Sequence, residues 1–478
     1  MAWESSLEPA LAPSTRVLFV TSELGGYVKA GGLGEVSAAL PLALKDLCEV
    51  RVLAPGYPAF RRRLSGVEVV RQMPEVAGLP PWSLGRVATP EGLTVYLVLC
   101  DELYDREGSP YGEDGQDFGD NDIRFARLSM AAAEIAEGVA DPNWTPDVVH
   151  VNDWPSALTP AYMQARGLRT PSIMTIHNLA YQGLFDRHRL GALALPETAM
   201  TLDGLEFHGR ISFLKAGIAY ASHVTTVSSN YAREITTPEH GCGLDGLLRV
   251  RDGRGELTGI LNGIDSSWET LRTEAEETGF LAHFKTEKQS EVRRLFGLEE
   301  SEGPLFSIIS RLVHQKGVDL SVQAAELIVA NGGQLVVTGQ GDPELERAVK
   351  ALAERHPGSV AAHIGFDDDE ARVMYGGSDF LLMPSRFEPC GLGQMYAQSQ
   401  AALPIARSTG GLADTIEDGH TGFLFAHAES FALKRAVGRA FRAFWSRPIM
   451  DAMRRKALAK TYDWSGSASR YKSLYGLA

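Results

Sequence analysis

The sequence has few cysteines, no surplus of basic charge and no long apolar run. Its four cysteines, Cys48, Cys100, Cys242 and Cys390, are scattered without a CxxC pair, which excludes a disulfide framework and a cysteine zinc site as the basis of the fold. The 46 Lys and Arg residues are outnumbered by 60 Asp and Glu residues, giving a net charge of −14. This acidic balance argues against nucleic acid and anionic membranes as partners.

Targeting and membrane segments are also missing from the pattern. The first 16 residues contain Glu4 and Glu8 but neither the basic region nor the apolar stretch of a secretory signal, so we expect a loose tail there. No run approaches the length of a membrane helix, about 18 apolar residues. Together with the scattered cysteines, these observations predict a cytoplasmic protein without a membrane partner.

The sequence is rich instead in short β-branched runs that alternate with Ala- and Leu-rich helical patterns. At 478 residues it is longer than a single hydrophobic core usually supports. A first set of strand-like runs covers residues 16–22, 50–56, 93–100, 147–153, 172–178 and 223–229. A second set covers residues 305–312, 334–341, 360–366, 379–385 and 403–408. This alternation predicts an α/β fold with two doubly wound parallel sheets.

A charged stretch without strand pattern, residues 266–304, separates the two sets. We therefore predict a Rossmann-like domain over residues 1–263, a second over residues 264–460, and a segment, residues 461–478, that packs back on the first domain. A hinge is expected near residues 263–275. Ligands of open parallel sheets bind at the carboxyl ends of the strands, so we expect functional residues in loops after strands, facing a deep cleft.

The first such loop is rich in glycine. Lys29, Gly31, Gly32 and Gly34 follow the first strand and precede a helical pattern. Glycines at a strand-to-helix turn let backbone N–H groups approach an anion, and a lysine adds positive charge. The alternative is an ordinary tight turn with a solvated lysine. The spacing matches neither GxGxxG nor GxxxxGK[ST], which argues against a dinucleotide-binding or Walker site.

Two loops of the second domain carry charged residues. Arg311 and Lys316 lie in one loop, at a spacing that suits a diphosphate, although both could be solvated loop cations. In the other loop, Glu388 and Gly391 place a carboxylate beside the free N–H groups of a helix start. That suits a developing cation next to an anionic leaving group, and the alternative is a helix cap. Cys390 has no histidine in its segment to activate it, so we interpret it as an inert thiol.

Polar residues also end two strands of the first domain. Asp153 closes the run at residues 147–153, and His177 lies at the end of the run at 172–178. At carboxyl strand ends both side chains would face the cleft, and the neighbouring Trp154 or Tyr181 could stack on a sugar. The alternatives are a buried structural histidine and, for Asp153, a helix N-cap.

Taken in order, these motifs resemble those of the bacterial glycogen synthases and plant starch synthases. The resemblance runs from about residue 15 to the end and includes KAGGLGEV, HVNDW, IHNLAYQG, GILNGID, SRLVHQKGVDL, FEPCGLGQMYA and TGGLADTIEDGHTGFLF. It implies the GT-B fold, with two Rossmann-like domains facing a deep cleft. It also implies a hexosyltransferase that moves glucose from ADP-glucose to the non-reducing end of an α-1,4-glucan with retention of configuration, without a metal or other cofactor.

The resemblance also implies roles for individual residues. Glu388 matches the catalytic carboxylate and His177 the histidine beside the reacting sugar. Residues that match the binding site of the donor and its diphosphate are Lys29, Gly31, Gly32, Arg311, Lys316, Gly391 and Leu392. Residues that match contacts of the sugar are Asp153, Asn178 and Asn262.

Physical chemistry agrees with these roles. Breaking a bond between an anomeric carbon and a phosphate produces an oxocarbenium-like sugar and a diphosphate, so positive groups are needed on the leaving group. Arg311 and Lys316 would supply them. Because the sequence offers no obvious nucleophile for a double displacement, we favour attack by the acceptor hydroxyl on the same face, with the departing phosphate as base.

The sequence departs from the pattern of the family in two places, and several alternative functions stay open. Many relatives carry an Arg, an aromatic and a Gly where this chain has residues 398–402 (QSQAA), and Thr and Asp where it has Ala30 and Glu35.

A related retaining transferase using UDP-glucose, maltose-1-phosphate or sucrose-synthase chemistry is one alternative, but many of those carry a second Glu where this chain has Tyr396. The others are a non-catalytic nucleotide- or glucan-binding protein and an NAD-dependent oxidoreductase, which would need GxGxxG.

Overall fold

The computed structural model describes residues 14–269, 271 and 280–477. The expected tail before residue 14, and residues 270 and 272–275 of the expected hinge, lie outside the described residues. The chain forms two compact units. Unit 1 comprises the described residues of Met1–Thr226, Ile235–Ile260 and Trp464–Ala478, and unit 2 those of Val227–Glu234 and Leu261–Asp463. Within these described ranges, no helix has the length and apolar character needed to cross a membrane.

Unit 1 is built on a large, mostly parallel sheet. Its strands are β1 (Arg16–Val20), β2 (Glu49–Pro55), β3 (Glu68–Met73), β4 (Trp82–Ala88), β5 (Thr94–Leu99), β6 (Gly112–Glu113), β7 (Gln116–Asp117), β8 (Val148–Asn152), β9 (Ser172–Ile176), β10 (Leu184–Asp186), β11 (Glu206–Phe207), β12 (Arg210–Ser212), β13 (His223–Thr226) and β14 (Leu257–Gly259). The sheet order is β14-β13-β9-β8-β1-β2-β5-β4-β3, and only β4 runs antiparallel to its neighbours. Strands β10, β12 and β11 form a small antiparallel sheet, and β6 and β7 a hairpin.

Helices follow most of these strands. In chain order they are α1 (Gly32–Leu44), α2 (Pro58–Arg63), α3 (Asp101–Tyr104), α4 (Asn121–Ala136), α5 (Asp153–Ser156), α6 (Thr159–Ala165), α7 (Phe213–Tyr220), α8 (Ser229–Glu234) and α9 (Asp245–Gly253). Short 3₁₀ helices cover Arg187–Leu193 and Glu197–Ala199. Among these helices, α8 belongs to unit 2.

Unit 2 repeats the scheme with a parallel sheet. Its strands are β15 (Leu305–Ile309), β16 (Gln334–Gly339), β17 (Val360–Ile364), β18 (Phe380–Met383), β19 (Leu403–Arg407) and β20 (Phe423–Phe425), in the order β17-β16-β15-β18-β19-β20. Its further helices are α10 (Phe280–Phe296), α11 (Val318–Ala330), α12 (Pro343–Arg355), α13 (Asp368–Gly377), α14 (Gly393–Ser399), α15 (Gly410–Thr415), α16 (Ser430–Phe444) and α17 (Arg447–Leu458), with 3₁₀ turns at Ser266–Trp268 and His314–Lys316. Apolar side chains of the sheet, α11, α16 and α17 form one buried core.

The expected α/β fold with two parallel sheets is confirmed, and each strand-like run contains a strand. The observed strands end one to three residues before the ends of the predicted runs. The run at 16–22 ends at Val20, and the run at 305–312 ends at Ile309. Thr21–Ser22 and Ser310–Arg311 therefore lie in loops. Thr21 Oγ1 lies 2.8 Å from Ser37 Oγ, and Ser22 Oγ lies 3.0 Å from the Tyr111 hydroxyl. Strand β3 was not predicted, because it is a half-exposed edge strand whose residues do not form an apolar run.

The expected boundary of the first domain at residue 263 differs from the structure. Residues 227–234 lie in unit 2, although unit 1 strands precede and follow them in the chain. Ser228 Oγ donates to the carbonyl of Pro389 at 2.6 Å, and the N–H of Asn230 donates to Asp414 Oδ2 at 2.8 Å. Strand periodicity carries no signal for such long-range hydrogen bonds, so the sequence did not separate this segment.

The last helix, α18 (Trp464–Tyr475), belongs to unit 1. The hydroxyl of Tyr475 lies 2.8 Å from Nδ1 of the buried His150 on β8. Lys472 Nζ donates to Thr15 Oγ1 at 2.8 Å, and Arg470 donates to the carbonyl of Gly259 at 2.9 Å. Polar contacts along the second half of the helix therefore fix it to unit 1.

Candidate active site

Each large sheet has one place where the strand order reverses. In unit 1, β1 lies between β2 and β8, and in unit 2, β15 lies between β16 and β18. Crossovers leave to opposite sides at such a point, so the loops at the carboxyl ends diverge and leave room for a ligand. The loops after β1 and β8, and those after β15 and β18, are the ones that carry most of the candidate residues.

In unit 2 the structure joins two residues that the sequence placed in separate loops. Lys316 Nζ lies 2.6 Å from Glu388 Oε2, and Ser385 Oγ donates to the same oxygen at 2.9 Å. Glu388 is 5% exposed. Its other oxygen, Oε1, makes no hydrogen bond to a described residue. A buried carboxylate is thus held in place through one oxygen while the second stays available.

The loops that carry Lys316 and Glu388 contain further hydrogen-bond donors. Arg311 is exposed, and its guanidinium makes no hydrogen bond or ion pair with any described residue. Gly391 has φ +71°, in the left-handed region that favours glycine, and the next residue, Leu392, is the N-cap of α14. The N–H groups of Gly391 and Leu392 donate to no acceptor in the described parts of the chain. These groups can therefore bind an anion without breaking an existing contact.

The turn that carries Glu388 packs against a glycine pair. The N–H of Gly411 donates to the carbonyls of Glu388 and Pro389, each at 3.1 Å. A Cβ on Gly410 would stand 1.9 Å from the carbonyl oxygen of Glu388, and one on Gly411 would stand 2.0 Å from that of Cys390. Only glycine fits at these two positions, because any side chain would displace the turn.

Asn262 and Cys390 are neighbours in unit 2. Burial raises the pKa of the Cys390 thiol to about 12, although the backbone N–H of Asn262 lies against the sulfur and partly offsets that rise. At neutral pH the group is a thiol, which is a poor nucleophile. The interpretation of Cys390 as inert is therefore confirmed, and Asn262 is placed within reach of the Glu388 turn.

In unit 1 the glycine-rich loop is organised by a carboxylate. Glu23 Oε2 accepts the N–H groups of Ala30 at 2.7 Å and Gly31 at 3.0 Å. The N–H of Gly31, a residue expected to bind the donor, therefore already has an acceptor in Glu23. The N–H of Gly32, the first residue of α1, has no acceptor among the described residues. Lys29 Nζ lies 2.6 Å from Glu35 Oε1, and both side chains are partly exposed.

Asp153, His177 and Asn178 form a second cluster in unit 1. Asp153 Oδ1 accepts the backbone N–H groups of His177 at 2.7 Å and Asn178 at 3.3 Å. Burial raises the pKa of Asp153 to about 7, against the effect of these two N–H groups. Burial lowers the pKa of His177 to about 3, so its imidazole is neutral at physiological pH. Asp153 also has φ +53°, an uncommon conformation for a residue with a side chain.

Sequence reasoning missed several residues of these clusters. Glu23 lies in a stretch that looked like an ordinary loop, and Tyr111, which donates to Glu23 Oε1 at 2.6 Å, comes from a distant hairpin. Phe366 follows β17 and is 54% exposed, which is unusual for a large aromatic side chain. The sequence did contain a signal for Phe366, because an aromatic residue stands there at the end of a predicted strand.

The departure at residues 398–402 is accommodated by packing. Gln398 is buried and accepts a hydrogen bond from the Tyr462 hydroxyl at 3.1 Å, and Gln400 donates to the carbonyl of Trp268 at 3.0 Å. Ala401 has φ +56°, in the left-handed region that favours glycine. Tyr396 stacks on Trp268 with ring centroids 4.3 Å apart.

Comparisons with known proteins identify the two halves of the chain. Residues 16–250 match the family described as "Starch synthase catalytic domain", and residues 292–443 match "Glycosyl transferases group 1". The glycogen synthase of Pseudomonas putida is 52% identical over 464 residues, covering 96% of this chain and 89% of the relative. Glycogen synthase 1 of Bradyrhizobium diazoefficiens is 53% identical over 453 residues, covering 94% and 98%.

The solved structures agree. The catalytic domain of starch synthase IV from Arabidopsis thaliana, bound to ADP and acarbose, superposes with a TM-score of 0.85 at 28% identity, covering 98% of this chain and 99% of that one. Sucrose-phosphate synthase from Thermosynechococcus elongatus, at 17% identity and a TM-score of 0.60, shares the fold. The chain therefore belongs to the bacterial glycogen synthase and starch synthase family, and it is a glycosyltransferase of the GT-B fold.

Proposed function

We propose that this protein transfers glucose from ADP-glucose to the non-reducing end of an α-1,4-glucan in the cytoplasm, with retention of configuration and release of ADP. The observation that carries the proposal is the group of Glu388, Lys316 and the free N–H groups of Gly391 and Leu392 in one unit. A carboxylate beside donors for an anion is what cleavage of a sugar–phosphate bond needs.

The leaving diphosphate is held by positive groups of unit 2. Arg311 offers a planar fork of donors, Lys316 offers a compact charge, and the N–H groups of Gly391 and Leu392 add neutral donors. Lys316 already pairs with Glu388 at 2.6 Å, so an arriving phosphate would share or take over that lysine. When Lys316 moves to the phosphate, the negative charge of Glu388 is no longer neutralised and can act on the sugar as the bond to phosphate breaks.

Glu388 then acts on the sugar. Its Oε2 is held by Lys316 and Ser385, which leaves Oε1 to face positive charge that develops at the anomeric carbon. The residues proposed to contact the sugar are Asp153, His177, Asn178 and Asn262. Lys29 and Gly32 would add donors for the phosphates, while Gly31 would have to share its N–H with Glu23. The acceptor hydroxyl attacks on the same face, with the departing phosphate as base.

Phe366 is a candidate contact for the adenine base of ADP-glucose. This exposed ring follows β17, two strands from β15 in the sheet of unit 2, and offers a flat apolar face on which a base can stack. Among the described residues, no group of three or more His, Cys, Asp or Glu side chains is placed to hold a metal ion. We propose no metal cofactor, because the cationic side chains and N–H groups supply the positive charge.

Incubation of the purified protein with glycogen and either ADP-glucose or UDP-glucose tests the proposal. We expect ADP release that depends on glycogen, a much slower release of UDP, and α-1,4 linkages in the elongated product. Equal or faster turnover of UDP-glucose would overturn the donor assignment. Transfer to glucose-1-phosphate, giving maltose-1-phosphate, or to fructose, giving sucrose, in place of glycogen would favour a related retaining transferase. Absence of turnover with every pair would leave a binding protein.

A further inference from the structure

We propose that Asn152 is a positioning residue that fixes the tautomer of His177, so that the imidazole presents Nδ1 as a hydrogen-bond acceptor to a sugar hydroxyl. The inference rests on the proposed function, in which His177 lies beside the reacting sugar. The tautomer of His177 can be measured whether or not the protein shows the proposed activity.

Asn152 is the last residue of β8 and is fully buried. Its Nδ2 donates to the carbonyl of Val20 at 3.0 Å, and its Oδ1 lies 2.9 Å from Nε2 of His177. A backbone carbonyl can only accept a hydrogen bond, so the Val20 contact orients the amide with its nitrogen towards β1. The oxygen must then face His177.

The amide oxygen in turn decides where the imidazole proton lies. Because Asn152 Oδ1 is an acceptor, Nε2 of His177 must carry the hydrogen for the contact to be favourable. A neutral imidazole has only one N–H, so Nδ1 carries a lone pair. Nδ1 hydrogen-bonds to no described residue. The relay from Val20 through Asn152 therefore leaves a half-buried acceptor without a partner.

The backbone around Asn152 is also fixed. Ser156 Oγ accepts the N–H of Asn152 at 2.7 Å and lies 2.8 Å from its carbonyl oxygen. The backbone N–H of His177 donates to Asp153 Oδ1 at 2.7 Å. Both partners of the side-chain hydrogen bond are thus held independently of it, so a change at residue 152 can alter the tautomer while the strand ends stay in place.

Neutrality of His177 is part of the arrangement, because an imidazolium would have donors at both nitrogens. Burial lowers the pKa of His177 to about 3. The neighbouring titratable groups are Asp153, whose pKa burial raises to about 7, and His150, whose pKa burial lowers to about 3. Glu23 in turn faces Asp153 and raises its pKa further. A neutral amide at residue 152 adds no charge to this group.

The direct test uses the full-length protein without substrate. Long-range ¹H–¹⁵N spectra of histidine-labelled protein at pH 7.5, with His177 assigned by its loss in His177→Gln, report which ring nitrogen carries the proton. We expect a single form protonated at Nε2 in the wild type and an average of two tautomers in Asn152→Leu. A wild-type imidazole that is protonated at Nδ1, or that averages both forms, would overturn the proposal.

Kinetics supply a second readout through Asn152→Asp. A carboxylate at residue 152 attracts a proton to His177, so we expect the variant to lose activity below neutral pH and to recover as the pH rises. Asn152→Leu should show a kcat lowered about tenfold or more at every pH, with the KM for ADP-glucose changed less than about threefold. Asn143→Asp, an exposed asparagine of the same unit, adds the same charge elsewhere and should resemble the wild type.

These outcomes separate the inference from the proposed function. An inactive wild type with a fixed Nε2–H tautomer contradicts the function and supports the geometry. An active wild type combined with an Asn152→Asp pH profile identical to that of the wild type contradicts the inference. If Asn152→Leu does not fold, the Asn152→Asp profile and the wild-type spectrum decide the matter.

Discussion

At the scale of single residues, the two oxygens of Glu388 have different surroundings. Oε2 is held by Lys316 at 2.6 Å and by Ser385 at 2.9 Å, whereas Oε1 is open. A carboxylate that only capped a helix would direct its oxygens at the first N–H groups of α14. The N–H groups of Gly391 and Leu392 do not donate to it. Its contacts therefore favour a role in charge stabilisation over a capping role.

Replacing Glu388 by Gln tests this distinction. The variant should lower kcat by about two to three decades while changing the KM for ADP-glucose little, because the lost interaction strengthens only in the transition state. Steady-state kinetics and thermal melts measure both effects. Glu354→Gln, an exposed glutamate on α12, is the matched control. A folded Glu388→Gln variant with nearly normal kcat and a loss of only about 1 kcal/mol of stability would support the capping role instead.

Arg311 should behave differently from Glu388. The diphosphate is charged before and during the reaction, so Arg311→Ala should raise the KM for ADP-glucose and also lower kcat, with a total loss on the order of 3 kcal/mol in kcat/KM. Because the side chain is exposed and unpaired with described residues, its removal should leave the melting temperature unchanged. Unaltered kinetics in Arg311→Ala would identify it as a solvated loop cation.

His150 links stability to pH. Burial lowers its pKa from the ordinary value of 6.5 to about 3, so between these values the unfolded chain binds a proton that the folded chain does not. The stability this group contributes is complete above pH 6.5 and is lost as the pH falls towards 3. The stability that His150 contributes should therefore fall by on the order of 2 kcal/mol between pH 6.5 and 5, as measured by urea denaturation of the wild type against a variant that lacks the imidazole.

The variant His150→Gln isolates this effect. His177 and Asp153 titrate in both proteins, so the difference between the pH profiles of the two proteins reports His150 together with its electrostatic coupling to His177. We expect a flatter profile for the variant below pH 6.5, together with a modest loss at pH 7.5 from the hydrogen bonds to Tyr475 and Thr175. Parallel profiles for the two proteins would show that the buried imidazole does not control acid stability.

At the scale of elements, α8 and the residue before it support the Glu388 turn. Ser228 donates to Pro389 directly at 2.6 Å. Glu234 accepts from Thr409 Oγ1 at 3.0 Å and from the N–H of Gly410 at 2.9 Å, which fixes the glycine pair against the same turn. The segment thus holds the carboxylate's backbone from two sides, although it contains no residue proposed to touch substrate.

Removing the Glu234 carboxylate should therefore impair turnover. Glu234→Ala is expected to lower kcat about tenfold or more, while the KM for ADP-glucose changes less than about threefold, because hydrogen bonds to charged groups contribute about 1.5–3 kcal/mol. Glu239→Ala, an exposed glutamate five residues along the chain, should match the wild type. An unchanged kcat in Glu234→Ala would show that the glycine pair keeps its position without this contact.

At the scale of the whole molecule, the proposed site residues are divided between the two units. Lys29, Asp153 and His177 belong to unit 1, whereas Arg311, Lys316 and Glu388 belong to unit 2. If all of them contact one donor molecule, binding must bring the two sets together, with a hinge near residues 262–265. Small-angle scattering with saturating ADP-glucose should then show a smaller radius of gyration than without it. The same curve in both conditions would contradict closure.

The sequence by itself determined the fold class, the two sheets and the loops that carry most candidate residues. Strand and helix periodicity depends on neighbours within about ten residues, so it can be read directly from the chain, and parallel strands then place their carboxyl-end loops at one edge. Lys316 and Glu388 were both identified in this way. Their motifs also carried the resemblance that the comparisons confirmed.

Only the tertiary structure decided which candidates meet and what occupies their polar atoms. The Lys316–Glu388 pair, the Glu23 carboxylate on the glycine loop and the Asn152–His177 contact join residues that are 72, 8 and 25 positions apart. A hydrogen bond of this kind depends on distances of about 3 Å between atoms whose positions are set by packing of the whole unit. Local sequence contains no record of those distances, which is why neither the contact of Glu23 with Gly31 nor the role of Asn152 was identified from it.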